Sequence, residues 1–217
     1  MGAPPGELAD DLRHRRRAEI LATVRAASDR LFGWQSEAGL AALVDEIASL
    51  ADDLGDLCGL TGFHRERAFK PWREAWALAH LMPVTEAEAA RLVPDDGRGS
   101  TPDAELRTAK GILPVEITEG ISSSHDPGER PEPGIRFDGE PAQWRRNAEA
   151  VPSLLEAAAH RKVDKPYARR AVLLVYLGTG ATYGIADGLI EAGVADFKAR
   201  HASTFADVRV LWGRKVY

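Results

Sequence analysis

The stretch STPDAELRTAKGILPVEITEG, residues 100–120, decides how this chain is read. Alternating apolar and polar residues in AELRT (104–108) and LPVEIT (113–118), parted by the turn-forming Ala109-Lys110-Gly111, predict two strands joined as a hairpin. Alternation places Asp103, Glu105 and Arg107 on one face of the first strand and Ala104 and Leu106 on the other. On the second strand Leu113, Val115 and Ile117 point to a core, and Glu116 and Thr118 share the opposite face. A hairpin then brings Asp103 or Glu105 towards Glu116. Carboxylates gathered in this way repel one another unless a cation or a proton is shared among them. A hard divalent ion, Mg2+ or Mn2+, fits such an oxygen set. Charged residues turned simply to water on one strand face give the same pattern.

Outward from the hairpin, the loop PDDGRGSTPD (94–103) marks a change of texture, with strands expected only after it. Upstream, Ile20, Val24, Ala27 and Leu31 form one helical stripe. Leu40, Leu43, Val44, Ile47, Leu50 and Leu54 form another, and FGWQSEAG (32–39) joins the two. A third helix, PWREAWALAHLM (71–82), opens on Pro71 and is expected to turn Trp72, Trp76 and Ala79 inward. Downstream, the polar, proline-rich segment 122–141 reads as a long loop, with a possible extra strand in GIRF (134–137). Its Ser-His-Asp run is no triad, because neighbours on one loop do not converge as nucleophile, base and orienter must. A helix from Pro141 to about Val163, bent or interrupted at Pro152, precedes AVLLVYL (171–177), an apolar run suited to a strand buried on both faces. The helix IADGLIEAGVADFKARH (185–201) and the strand DVRVLW (207–212) complete an α/β core, residues 63–217, behind a helical N-terminal extension, residues 1–62.

The 217 residues, 44% of them hydrophobic, suffice for a real core, and the formal charge of −5 excludes a broadly basic nucleic-acid surface. A single cysteine excludes disulfide frameworks and thiolate-rich zinc sites, and Cys58 among leucines reads as a buried small residue. No membrane span or signal segment is recognisable, so a cytoplasmic protein is expected. Gly178, Gly180 and Gly184 between a strand and a helix offer a remote nucleotide-binding alternative, although too few strands follow for a dinucleotide fold.

The order of these elements, with Pro102-Asp103 before one strand and Glu116 in the next, resembles the restriction-endonuclease-like PD-(D/E)xK superfamily from about Pro71 to Tyr217. The resemblance implies a restriction-endonuclease-like mixed sheet flanked by helices and Mg-dependent hydrolysis of phosphodiesters in DNA or RNA. It implies metal held by Asp103, Glu116 and the carbonyl of Ile117, with Glu74 or Glu105 as an accessory ligand or base. The motif lysine is replaced by Thr118, which carries neither its charge nor its reach. Lys110, Gln143, Arg145, Lys162 and Lys165 are substitutes. Two readings follow: an atypical nuclease, or a catalytically inactive scaffold that binds a protein or nucleic-acid partner.

Overall fold

The computed structural model describes residues 5–58, 67–97, 99, 101–120, 141–177 and 186–217; the side chains of residues 5–11, 51–58, 67 and 143 lie outside that description. The expectations for the side chains of Leu54, Cys58 and Gln143, for GIRF (134–137) and for the Gly178–Gly184 turn therefore lie outside that description.

Helices α1 (Pro5–Asp29), α2 (Glu37–Cys58) and α3 (Lys70–Thr85) precede the strands β1 (Ala89–Leu92), β2 (Ala104–Thr108) and β3 (Gly111–Gly120). Helix α4 (Pro141–His160), strand β4 (Val172–Leu177), helix α5 (Asp187–His201) and strands β5 (Asp207–Trp212) and β6 (Lys215–Val216) follow. The strands form one mixed six-stranded sheet in the order β1-β2-β3-β4-β5-β6. β1, β2 and β3 run antiparallel as a meander, β4 lies parallel to β3 and β5 parallel to β4, and β6 returns antiparallel. Parallel neighbours need a crossover, which α4 and α5 provide.

Strand β4 explains the layering. Val172 and Leu174 enter one core with α1, α2 and α3, while Leu173, Val175 and Leu177 enter another with α4 and α5. A strand covered on both faces needs no polar alternation, which is why AVLLVYL is continuously apolar. The first core runs from Ile20 of α1 to Leu211 of β5, so residues before and after position 62 share it. Local chemistry sets the boundaries. Ser36 Oγ accepts the Gly39 N–H at the start of α2, and Gly111, with φ of 122°, closes the β2–β3 hairpin.

Several expectations need correction. Strands begin before the Gly/Pro/Asp loop, at β1, whose AARL sequence has no β-branched residue and reads as helix by propensity; pairing with β2 overrides that preference. The short edge strand β6 also escaped notice. In α3 the fully buried residues are Ala75, Ala77, Leu78, Leu81 and Met82, and Trp72, Trp76 and Ala79 do face inward, packing half-buried against the same core. The Trp72 indole N–H donates to the Val44 carbonyl at 2.9 Å, which satisfies its polar end while the ring packs against the core. Helix α4 runs uninterrupted through Pro152 and stops at His160, so residues 161–164 form a turn instead of its last coil.

Candidate functional site

The register of β2 on β3 pairs Ala104 with Val115, so Asp103, one residue before, stands opposite Glu116. β2 ends there, and the Asp103 carboxylate takes over its role: Oδ2 accepts the Ile117 N–H at 2.8 Å. Because a residue's N–H and C=O leave a strand on the same side, the Ile117 carbonyl also faces the Asp103 edge. Glu116 is 1% exposed, and Thr118 is also buried. A buried carboxylate without compensation is costly, so its neighbours matter.

The turn after α4 supplies them. Lys162 Nζ lies 2.6 Å from Asp103 Oδ2 and 2.6 Å from Glu116 Oε2. The Tyr167 hydroxyl lies 2.5 Å from Glu116 Oε1 and 2.6 Å from the Thr101 carbonyl, and its one proton is shared between these acceptors. Lys165 Nζ donates to the Gly99 carbonyl at 2.6 Å. The loop before β4 thus clamps the loop before β2, and this fixes where Asp103 sits. Arg161 Nη2 donates to Thr118 Oγ1 at 2.9 Å and to the Glu119 carbonyl at 2.7 Å. Thr118 therefore presents a hydroxyl to an arginine from a neighbouring element.

Burial pushes the Glu116 carboxyl above its usual range, and the Lys162 and Tyr167 contacts only partly offset this. Burial pulls the Lys162 ammonium down, but Asp103 and Glu116 outweigh it and the net shift is upward, so this lysine stays charged at neutral pH. Desolvation and the Glu116 charge push Tyr167 well up and keep its hydroxyl protonated. Glu116 Oε2 is buried, with the Lys162 charge beside it, yet no hydrogen bond of good geometry ends on it among the described residues.

The two helix and strand accessories fare differently. Glu74 on α3 pairs with Lys70 at 3.4 Å and is close enough to Asp103 and Lys162 to feel both charges. Burial raises its pKa to about 7, against the pull of Lys70. Glu105 is held by Arg91 at 2.7 Å and is not brought to the Asp103–Glu116 pair. Lys110 and Arg145 are exposed on the hairpin turn and on α4. Of the proposed lysine substitutes, Lys162 alone among those described touches both carboxylates. Arg161 and Tyr167 were missed altogether. Only their position just before the buried strand, beside Lys162, could have drawn attention to them.

No protein-family model, curated protein or solved structure matches this chain.

Among the described residues no three His, Cys, Asp or Glu side chains gather as a ready-made metal cage. The donors at hand are two carboxylates and a carbonyl, all hard oxygens. That set suits magnesium, which commonly takes one or two carboxylates and completes its shell with water and substrate phosphate.

The raised Glu74 pKa carries a stability prediction. Between its ordinary value of 4.5 and about 7 the folded chain holds a proton that the unfolded chain has released, so stability falls as pH rises through this window. Glu74→Gln removes the loss. Urea midpoints at pH 5 and pH 8 are expected to diverge more in the wild type than in the variant, by on the order of 2 kcal/mol. Equal pH dependence in the two proteins would show that Glu74 titrates normally.

Proposed function

We propose that this chain is an atypical PD-(D/E)xK-like, restriction-endonuclease-like protein that hydrolyses phosphodiester bonds of nucleic acid with Mg2+ or Mn2+. The observation that carries this reading is the convergence of Asp103, Glu116 and Lys162, with Nζ 2.6 Å from each carboxylate. An antiparallel meander followed by a parallel strand agrees with the resemblance on topology. Lys162, from the turn after α4, takes the part of the lysine that Thr118 cannot play.

On this reading Asp103, Glu116 and the Ile117 carbonyl would hold the metal, and Glu116 Oε2, buried beside the Lys162 charge without a well-formed hydrogen bond, is the acceptor that best fits a cation. Bound metal would supply charge to the scissile phosphate and lower the pKa of the attacking water. Lys162, released from its bridging position, orients that water and balances charge growing on the phosphoryl oxygens. Tyr167 and the Ile117 N–H hold Glu116 and Asp103 in place. Glu74, with a pKa of about 7, is an accessory proton acceptor.

A second reading rests on the same lysine. An ammonium bridging two carboxylates already neutralises them, and a catalytically inactive scaffold that binds a partner would need nothing more. Cleavage assays on single-stranded and duplex DNA and on RNA, with manganese, separate the two. Cleavage that requires metal and disappears in Asp103→Asn is expected. Cleavage that survives Asp103→Asn would place the chemistry elsewhere, and none with any substrate would favour the scaffold.

A further inference from the structure

The sheet face that carries Asp103 and Glu116 continues across β2 and β1, beyond the helices of that layer. α4 and α5 pack on β3, β4 and β5, and the core they build contains no residue of β1 or β2. On this ledge, which α4 and α5 leave uncovered, register places Arg91, Glu105 and Arg107 beside Ile112 and Pro114, and Arg107 and Ile112 are exposed. Trp34 lies over it. Its ring centre is 4.7 Å from the Arg91 guanidinium carbon and 4.3 Å from that of Arg107. Trp34 belongs to neither hydrophobic core, although it is half-buried. The backbone exchange of Gln35 with Ala90, 2.8 Å in both directions, pins it at the β1 edge. Arg91 is engaged by Glu105, whereas Arg107 has no carboxylate partner among the described residues.

We propose that this ledge is a docking surface for an unpaired nucleic-acid strand leaving the Asp103–Glu116 site, with a base stacked on Trp34 and a phosphate on Arg107. The inference rests on the proposed function and deepens it by naming single-stranded substrate. The exposed Arg107 guanidinium over the indole frees a π-face when it swings out to a phosphate, and a flat aromatic beside cations is what sequence-tolerant strand binding uses. A base in a duplex is already stacked, so the platform favours unpaired ends or single strands. Arg107 is four residues along β2 from Asp103, about 13 Å at strand rise, so one strand can touch both.

The test is fluorescence anisotropy with a short labelled DNA or RNA, single-stranded and duplex, without divalent metal so that nothing is cut. Wild type is expected to prefer the single strand. Trp34→Ala weakens binding about tenfold and Trp34→Phe keeps most of it. Arg107→Glu weakens it too, and Arg107→Ala lowers the slope of log K against log salt by about 0.7. Affinity unchanged in Trp34→Ala, tighter binding of duplex, or Trp34→Phe as weak as Trp34→Ala would overturn the proposal, as would no binding of any nucleic acid. The two readings fail separately: Asp103-dependent cleavage with Trp34-independent binding removes the ledge alone. Trp34-dependent binding without cleavage removes the hydrolytic activity alone.

Discussion

Lys162→Met is expected to lower single-turnover cleavage about 10²–10³-fold, the usual loss when one preorganised donor to a charged transition state is removed. Thr118→Lys is expected to restore little. Thr118 is buried and its hydroxyl accepts from Arg161, so a lysine there meets a guanidinium and cannot take the vacated position without displacing it. The same Lys162 change has a second signature. With the ammonium gone, Asp103 and Glu116 face each other without a counter-ion, and removing one partner of a buried pair typically costs about 3–5 kcal/mol. Proton uptake by the two carboxylates relieves that repulsion. The variant's deficit in a urea melt without metal should therefore shrink at acid pH and grow as pH rises. Unimpaired cleavage in Lys162→Met, with a severe loss in Lys110 or Lys165 variants instead, would assign the role to another lysine.

Glu116→Gln is expected to abolish divalent-ion binding and take cleavage to background. The amide keeps the shape and the Tyr167 contact but loses the charge that a hard cation requires, and it places an NH2 group where an acceptor is needed. Calorimetric titration with magnesium and manganese reads this directly. The wild type should give a saturable heat of binding, weak because Lys162 must be displaced from the pair, and the variant should give none. Superimposable titrations of the two proteins would show that Glu116 is no ligand.

The sequence made the centre of the fold readable because burial leaves a plain mark there. A strand packed on both faces has to be apolar throughout, and AVLLVYL could hardly be anything else; alternation in β2 and β3 likewise placed Asp103 and Glu116 on one face. The edges were not readable. AARL becomes a strand only through its pairing with β2 and the Gln35 backbone, contacts that leave no local signature. The candidate site was half legible for the same reason. Its carboxylates belong to a hairpin whose register follows from a short turn, whereas Lys162, Arg161 and Tyr167 arrive from a loop more than 40 residues away in sequence, through the parallel crossover. Lys162 was one of several candidate lysines, and only the ending of α4 at His160 turns it towards the pair. Glu105 looked equivalent to Asp103 by alternation. Arg91 on β1, the strand that went unread, is what engages it.

A crystal soaked in manganese tests the central claim most directly, because Lys162 and a metal ion compete for the same two carboxylates. The account predicts anomalous density between Asp103 and Glu116, with the Lys162 ammonium moved off its bridging position. Lys162 still bridging both carboxylates, with no manganese between them at saturating concentration, would contradict it.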